Sequence, residues 1–160
     1  MSDTILVDEV TLVDLYQGHD LLPGGLEFLY ELMKERDPEI NISHSTLPTW
    51  EEHCAYVHRR PLRAWYLIEV ELPGVLERTR IGFVSATWLN EIGIVLLKRW
   101  RFMGYGKAII RRFLESLPPL PAEVGVRRGR WIANVAPGNQ ASHALFQSLG
   151  GKAIQVTYEL

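Results

Sequence analysis

The spacing of apolar positions changes several times along the chain, and each change marks an element. Val10 to Asp14 reads as a first strand. From Leu26 to Arg36 the apolar residues Leu26, Leu29, Tyr30 and Met33 recur at near-helical spacing, between Gly24-Gly25 and Asp37-Pro38. Asn41 to Leu47 reads as loop. Thr49-Trp50-Glu51-Glu52 is a capping box, in which Thr49 accepts from the Glu52 N–H and Glu52 reaches back. A second helix therefore runs to about Arg59, stopped by Pro61. Ala64 to Val70 is rich in aromatic and β-branched residues and reads as a strand. A turn around Pro73-Gly74 leads to a strand from Arg80 to Trp88, and Glu91 to Leu97 makes a third. Their closeness in sequence predicts an antiparallel meander.

Helical spacing returns from Lys107 to Leu117. It buries Ile109, Ile110, Phe113, Leu114 and Leu117 and leaves Lys107, Arg111, Arg112 and Glu115 on the wet side. Pro118-Pro119-Leu120-Pro121 ends that helix. A strand from Arg130 to Val135, a helix from Asn139 to Leu149 closed by Gly150-Gly151, and a last strand from Ala153 to Tyr158 follow. The order is β-α-α-β-β-β-α-β-α-β. It predicts an α+β domain with a mixed, mostly antiparallel central sheet flanked by helices.

Composition narrows the class without naming a function. With 160 residues, a single domain over 1–160 is expected. A net charge of −2 argues against a nucleic-acid partner. Cys54 is the only cysteine, which excludes an intrachain disulfide and a cysteine-rich zinc site and suits a reducing cytoplasm. The start Met-Ser-Asp-Thr lacks the features of a signal peptide, and no apolar run approaches the roughly 20 residues of a membrane helix. A cytoplasmic protein with no metal, membrane or nucleic-acid partner is the expectation. Basic residues do gather in Lys98-Arg99-Trp100-Arg101 and Arg127-Arg128-Gly129-Arg130. The first group adjoins a glycine-rich stretch.

That stretch, Arg101-Phe102-Met103-Gly104-Tyr105-Gly106-Lys107, lies where a strand turns into a helix. Backbone N–H groups at such a turn can point outward together and hold a phosphate. A dinucleotide fingerprint fails because Ile109 stands where its third glycine belongs and three strands precede it. A P-loop fails because Ala108 follows Gly106-Lys107 and no glycine precedes at the right distance. A kinase glycine loop fails on chain length. The remaining spacing is Arg-x-x-Gly-x-Gly, as Arg101, Gly104 and Gly106.

In this spacing the chain resembles the GNAT superfamily of N-acetyltransferases. The segment Glu91-Ile92-Gly93-Ile94 is most similar to its branch of ribosomal-protein and small-molecule enzymes. A second segment also resembles the family's coenzyme-binding region. It runs from Val135-Ala136-Pro137-Gly138-Asn139-Gln140-Ala141-Ser142 through Leu145-Phe146 to Leu149-Gly150. The resemblance implies the GNAT fold and acetyl-CoA as co-substrate, without a metal. It implies that the strands at Glu91–Leu97 and Arg130–Val135 splay apart around the coenzyme arm. Val95, Leu96 and Leu97 would offer backbone groups to that arm, and Phe102, Met103, Gly104, Tyr105, Gly106 and Lys107 would cradle the pyrophosphate beside Arg101. Asn139, Ser142 and Phe146 would complete the coenzyme side. Asn139 is equally placed to cap the last helix. Family members are often dimers, so a homodimer belongs among the implied states.

The implied reaction is attack of an amine on the acetyl thioester with both substrates bound. A backbone N–H near Val95 or Leu96 would polarise the acyl carbonyl. Glu91 is the first candidate for general base, and a surface carboxylate is its plain alternative. His44 and His53 precede the central sheet and are candidates of lower rank. Many family members place a tyrosine where this chain has Phe146, which has no proton to give a leaving thiolate. Tyr105, Tyr158 or water would substitute, and a thiol with a pKa of about 8.5 can leave unaided. Gly151 stands where an aromatic residue often follows. Three functions are weighed: acetylation of a small amine (amino sugar, amino acid or polyamine), acetylation of a protein N-terminus or lysine, and coenzyme binding without catalysis. An acceptor pocket lined by Trp50, Trp65 or Trp88 would favour the first, although tryptophans are more often core.

Overall fold

A strand with apolar residues on both faces needs both faces covered. Ala64–Val70 is such a strand, apolar everywhere but Glu69. In the computed structural model, which describes residues 9–37, 46–158 and 160, this strand is β4 and lies inside a four-stranded antiparallel sheet. β1 (Val10–Asp14) pairs with one side of β4. β5 (Thr79–Ala86) pairs with the other side and in turn with β6 (Ile92–Leu96), giving the order β1-β4-β5-β6. The Arg80 guanidinium reaches Glu69 Oε1 at 3.1 Å, which accounts for the one charge on β4. A two-stranded ribbon, β2 (Tyr16–Gln17) with β3 (Asp20–Leu21), precedes the first helix.

Alternate residues of the strands feed two cores. On one face Ile68, Ile81, Val84 and Ile92 pack beneath α3 (Tyr105–Ser116), which buries Ala108, Ile109, Ile110 and Phe113. On the other face Trp65, Leu67, Phe83 and Leu97 pack with Leu29 and Leu32 of α1 (Gly25–Lys34) and Val57 of α2 (Trp50–His58). The Thr49 capping box is formed as the sequence predicts. α4 (Gln140–Ser148) lies against α3. The mixed α+β class, the meander and all four helices agree with the sequence reading.

Two expected strands are absent among the described residues. Arg130–Val135 makes a single parallel bridge, Ile132 with Glu91, and no ladder. Beyond it the Asn134 side chain donates to Glu91 Oε1 at 2.9 Å. Ala153–Tyr158 forms no strand; Ile154, Val156 and Tyr158 are all exposed. Period-two alternation marks a segment able to pair, but a strand also needs an edge beside it. The observed order therefore ends in two helices. Boundaries move as well: β5 stops at Ala86, leaving Trp88 in an exposed turn, and Leu114 is 42% exposed. The short β2–β3 ribbon, turned at Gly18 (φ +61°), was too brief to show as a period. His44 and most of the loop expected at 41–47 lie outside the described residues.

One residue fixes how the chain enters and leaves β6. Asn90 is fully buried and left-handed, with φ +63°. Its Nδ2 donates to the Leu120 and Arg128 carbonyls, both at 2.8 Å, and its Oδ1 accepts the Leu120 N–H at 2.8 Å. Its own carbonyl accepts from Ile132 at 2.9 Å. Asn90 thus ties the proline loop and the 128–132 segment to the root of β6. Replacing it by alanine strands buried backbone groups, at about 1–3 kcal/mol each, and puts a Cβ residue without a compensating bond at positive φ for about 1–2 kcal/mol more. Asn90→Ala is expected to lose about 3 kcal/mol or more, a melting point lower by about 6–12 °C. Thermal and urea unfolding measure it, and a loss below about 1 kcal/mol contradicts this role.

Candidate active site

β6 is an edge strand, and the direction of its peptide groups decides what the edge offers. The Leu97 N–H donates to Ile81 on β5 at 3.0 Å, so Leu97 faces inward. Main-chain groups alternate in direction along a strand. Gly93 and Val95 therefore also face β5, while Ile92, Ile94 and Leu96 face outward. Ile92 uses its outward N–H on the Ile132 carbonyl at 2.8 Å. Past that bridge Ile94 and Leu96 meet no strand among the described residues, and the sheet opens. The Leu96 carbonyl accepts Arg101 Nε at 2.9 Å, and the Leu97 carbonyl accepts the Trp100 N–H at 2.9 Å. Of Val95, Leu96 and Leu97, only Leu96 turns its N–H to the open edge. Ile94 shares that direction and was missed. Its signal was the same alternation, but only the register with β5 tells which half of the period is free.

Glu91 sits at the root of this opening, half-buried. Its Oε2 accepts from Thr87 Oγ1 at 3.0 Å and its Oε1 from Asn134 Nδ2 at 2.9 Å. Two neutral donors hold the carboxylate in one orientation, and no cation pairs with it among the described residues. Thr87 and Asn134 are second residues that sequence reasoning missed. Gly93, two positions on, lies over Ser85: an added Cβ there would stand 3.1 Å from Ser85 Oγ. The glycine is thus a close-packing site on the face that Glu91 shares.

At the other end of the edge, a 3-10 turn (Lys98–Trp100) leads into the glycine stretch. Phe102 and Gly104 take left-handed conformations, φ +61° and +91°, which swing the chain into α3. No side chain caps α3, and among the described residues nothing accepts from the N–H groups of Phe102 to Lys107. These N–H groups, with the helix dipole, give the exposed turn a positive potential. The two glycines differ. Gly104 has the positive φ that favours glycine, whereas Gly106 faces α4, where an added Cβ would meet Leu145 at 3.3 Å. Arg101 bonds back to Leu96, bracing the turn against β6, and Lys107 is half-buried with no carboxylate partner among the described residues. Tyr105 packs on Trp100, and burial raises its hydroxyl pKa, with Glu9 a lesser cause.

The second expected region is a helix start. Asn139 caps α4, its Oδ1 accepting the Ser142 N–H at 3.1 Å. Ser142 is half-buried, and Phe146 packs against the core beneath α3. The Gly151 N–H returns to the Phe146 carbonyl at 2.9 Å and Gly150 is left-handed at φ +85°, a Schellman end. An added Cβ on Gly151 would strike that carbonyl at 2.8 Å, so no aromatic fits there. His53 is buried, bonded to the Leu26 carbonyl at 2.9 Å, and ties α2 to α1. Trp65 is core; Trp50 and Trp88 are exposed, and Tyr158 is 83% exposed.

An antiparallel sheet opened along its edge strand leads through an uncapped glycine turn into a helix. Residues 26–151 match the acetyltransferase (GNAT) family, and the chain belongs to that family, whose enzymes are acetyl-CoA-dependent N-acetyltransferases. No curated protein matches it in sequence. Among solved structures it is similar to a domain from Methanocaldococcus jannaschii DSM 2661, at 20% identity and a TM-score of 0.70, over 94% of this chain and 92% of that one. It is also similar to a spermidine N-acetyltransferase SpeG chimera from Vibrio cholerae and hSSAT. There the identity is 19% and the TM-score 0.49, over 67% of this chain and 61% of the other. The first likeness shows the fold. No helix among the described residues is long and apolar enough to cross a membrane.

The contrast between the glycines is testable. Gly106→Val pushes a branched side chain onto Leu145 and is expected to cost about 1–3 kcal/mol through overpacking between α3 and α4. Unfolding measurements that find no loss would contradict this contact.

Proposed function

We propose that residues 1–160 form one domain that moves an acetyl group from acetyl-CoA to a primary amine of a small molecule, with both substrates bound together. One observation carries this reading. The open edge of β6 has a fixed carboxylate at one end and a set of uncapped N–H groups at the other. Five steps of about 3.3 Å separate Glu91 from Leu96, so a ligand that touches both ends is extended, some 16 Å long. Acetyl-CoA fits that description and supplies its acyl group as a thioester. The turn from Phe102 to Lys107 suits its pyrophosphate, with Lys107 and Arg101 adding charge, and the outward groups of Ile94 and Leu96 suit the amides of its arm. Asn139, Ser142 and Phe146 border the same side in this reading.

The chain's own groups then divide the work. Holding donor and amine side by side removes much of the entropic barrier. The N–H of Ile94 or Leu96 polarises the acyl carbonyl from a fixed position. Glu91, oriented by Thr87 and Asn134, takes the proton from the amine directly or through one water. Phe146 gives no proton and Tyr105 lies in the turn assigned to the pyrophosphate, so the thiolate, of a thiol with a pKa of about 8.5, leaves unaided. The single Cys54 is consistent with a cytoplasmic setting.

A thiol-release assay with acetyl-CoA and a panel of small amines tests the reading. Amine-dependent release is expected, and tight coenzyme binding without turnover of any amine contradicts it. Glu91→Gln should lower kcat by about 10²–10⁴-fold with little change in the KM for acetyl-CoA. An unchanged kcat removes Glu91 as base. Gly104→Val should weaken coenzyme A binding about tenfold or more, about 1.4 kcal/mol, because a β-branched residue resists the left-handed turn. Equal affinities by calorimetry would remove the turn from the site.

A further inference from the structure

The face of the sheet that carries Glu91 also holds a cation that makes no ion pair among the described residues. Arg36 follows the end of α1. The preceding residue, Glu35, accepts the Lys98 N–H at 2.7 Å, which fastens this end of α1 to the chain just past β6. Arg36 is half-buried, its Nε is buried with no acceptor, and it makes no ion pair among the described residues. Tyr56 of α2 is close enough to act on its charge. Tyr56 stacks edge-on over Trp65 of β4, ring centroids 6.4 Å apart. Trp65 is opposite Ser85, and Ser85 is opposite Gly93, so this group continues into the row that leads to Glu91. Two further donors on this side, Trp65 Nε1 and Trp100 Nε1, are buried without acceptors.

A guanidinium keeps its proton even when burial lowers its pKa, as burial does for Arg36. Its buried Nε has no acceptor among the described residues, and an anion at the fork would supply one. Its planar fork fits a carboxylate or a phosphate through two parallel bonds. We infer that the acceptor is an amine that also carries a carboxylate or phosphate group, and that Arg36 anchors this group; the inference rests on the acetyltransferase reading above. The same charge repels a polyamine, which would bring further ammonium groups toward it. An internal counter-ion for Arg36 is the competing account.

Matched pairs of amines decide between them: lysine against cadaverine, and phosphoethanolamine against ethanolamine, with spermidine as the polycation. Each is titrated into the full chain saturated with coenzyme A, and each is assayed for turnover with acetyl-CoA. The anionic member of at least one pair should bind at least about tenfold more tightly, and which pair responds separates carboxylate from phosphate. Arg36→Gln should bring the two members within about threefold, with coenzyme A affinity and melting point unchanged, and Arg36→Lys should restore part of the preference. Equal binding within both pairs, a preference for spermidine, or a preference that survives Arg36→Gln overturns the inference. A fall in stability without a change in preference identifies an internal counter-ion and does the same. Failure of every amine to turn over would sink the acetyltransferase reading alone, because the binding arm still reports on Arg36.

Discussion

The site depends on a sheet that is allowed to pair once and then prevented from pairing again. Ile132 makes that one bridge, its carbonyl accepting the Ile92 N–H at 2.8 Å and its N–H donating to the Asn90 carbonyl at 2.9 Å, and the Asn90 side chain holds the Arg128 carbonyl beside it. A buried asparagine with three side-chain bonds is a costly residue to misplace, since each unmet group loses about 1–3 kcal/mol. The two segments are therefore fixed in register at Glu91 and left to diverge beyond it. Past the bridge the Asn134 side-chain amide donates to Glu91 Oε1 at 2.9 Å.

From this divergence the other features follow. An unpaired strand edge is ordinarily a liability, because its free N–H and C=O groups recruit any passing strand. Here the exposed length is short. The Leu96 carbonyl is occupied by Arg101, and the chain turns through Phe102 and Gly104 at positive φ before the edge can extend. What remains free is a small run of donors that ends at an uncapped helix. The same turn sets α3 over the sheet, where Phe113 and Ile109 are fully buried, so the fold's core and the donor site share one structural element.

The sequence showed much of this because local rules and tertiary structure agree in those places. The Thr49 capping box and the apolar stripe from Ala108 to Phe113 are local signals that packing reinforces. The glycine turn was legible from spacing, though the two glycines do different work: Gly104 serves the turn and Gly106 makes room for Leu145. What was not legible depends on partners far away in sequence. Val95 and Leu96 alternate identically in the sequence, and only pairing with β5 shows which one faces out. Arg130–Val135 has a strand's composition, but Asn134 bonds through its side chain instead. His53 carries no mark that distinguishes a ring bonded to Leu26 from a catalytic one.

The central claim is that the donor lies along the outward half of β6 and the N–H groups of the glycine turn. Amide hydrogen exchange, resolved by residue and measured with and without coenzyme A, tests this most directly. The account predicts new protection at Ile94, Leu96 and the turn from Phe102 to Lys107. It predicts little change at Val95 and Leu97, whose N–H groups are already bonded to β5. Protection confined to other segments, or equal at Val95 and Leu96, would contradict it.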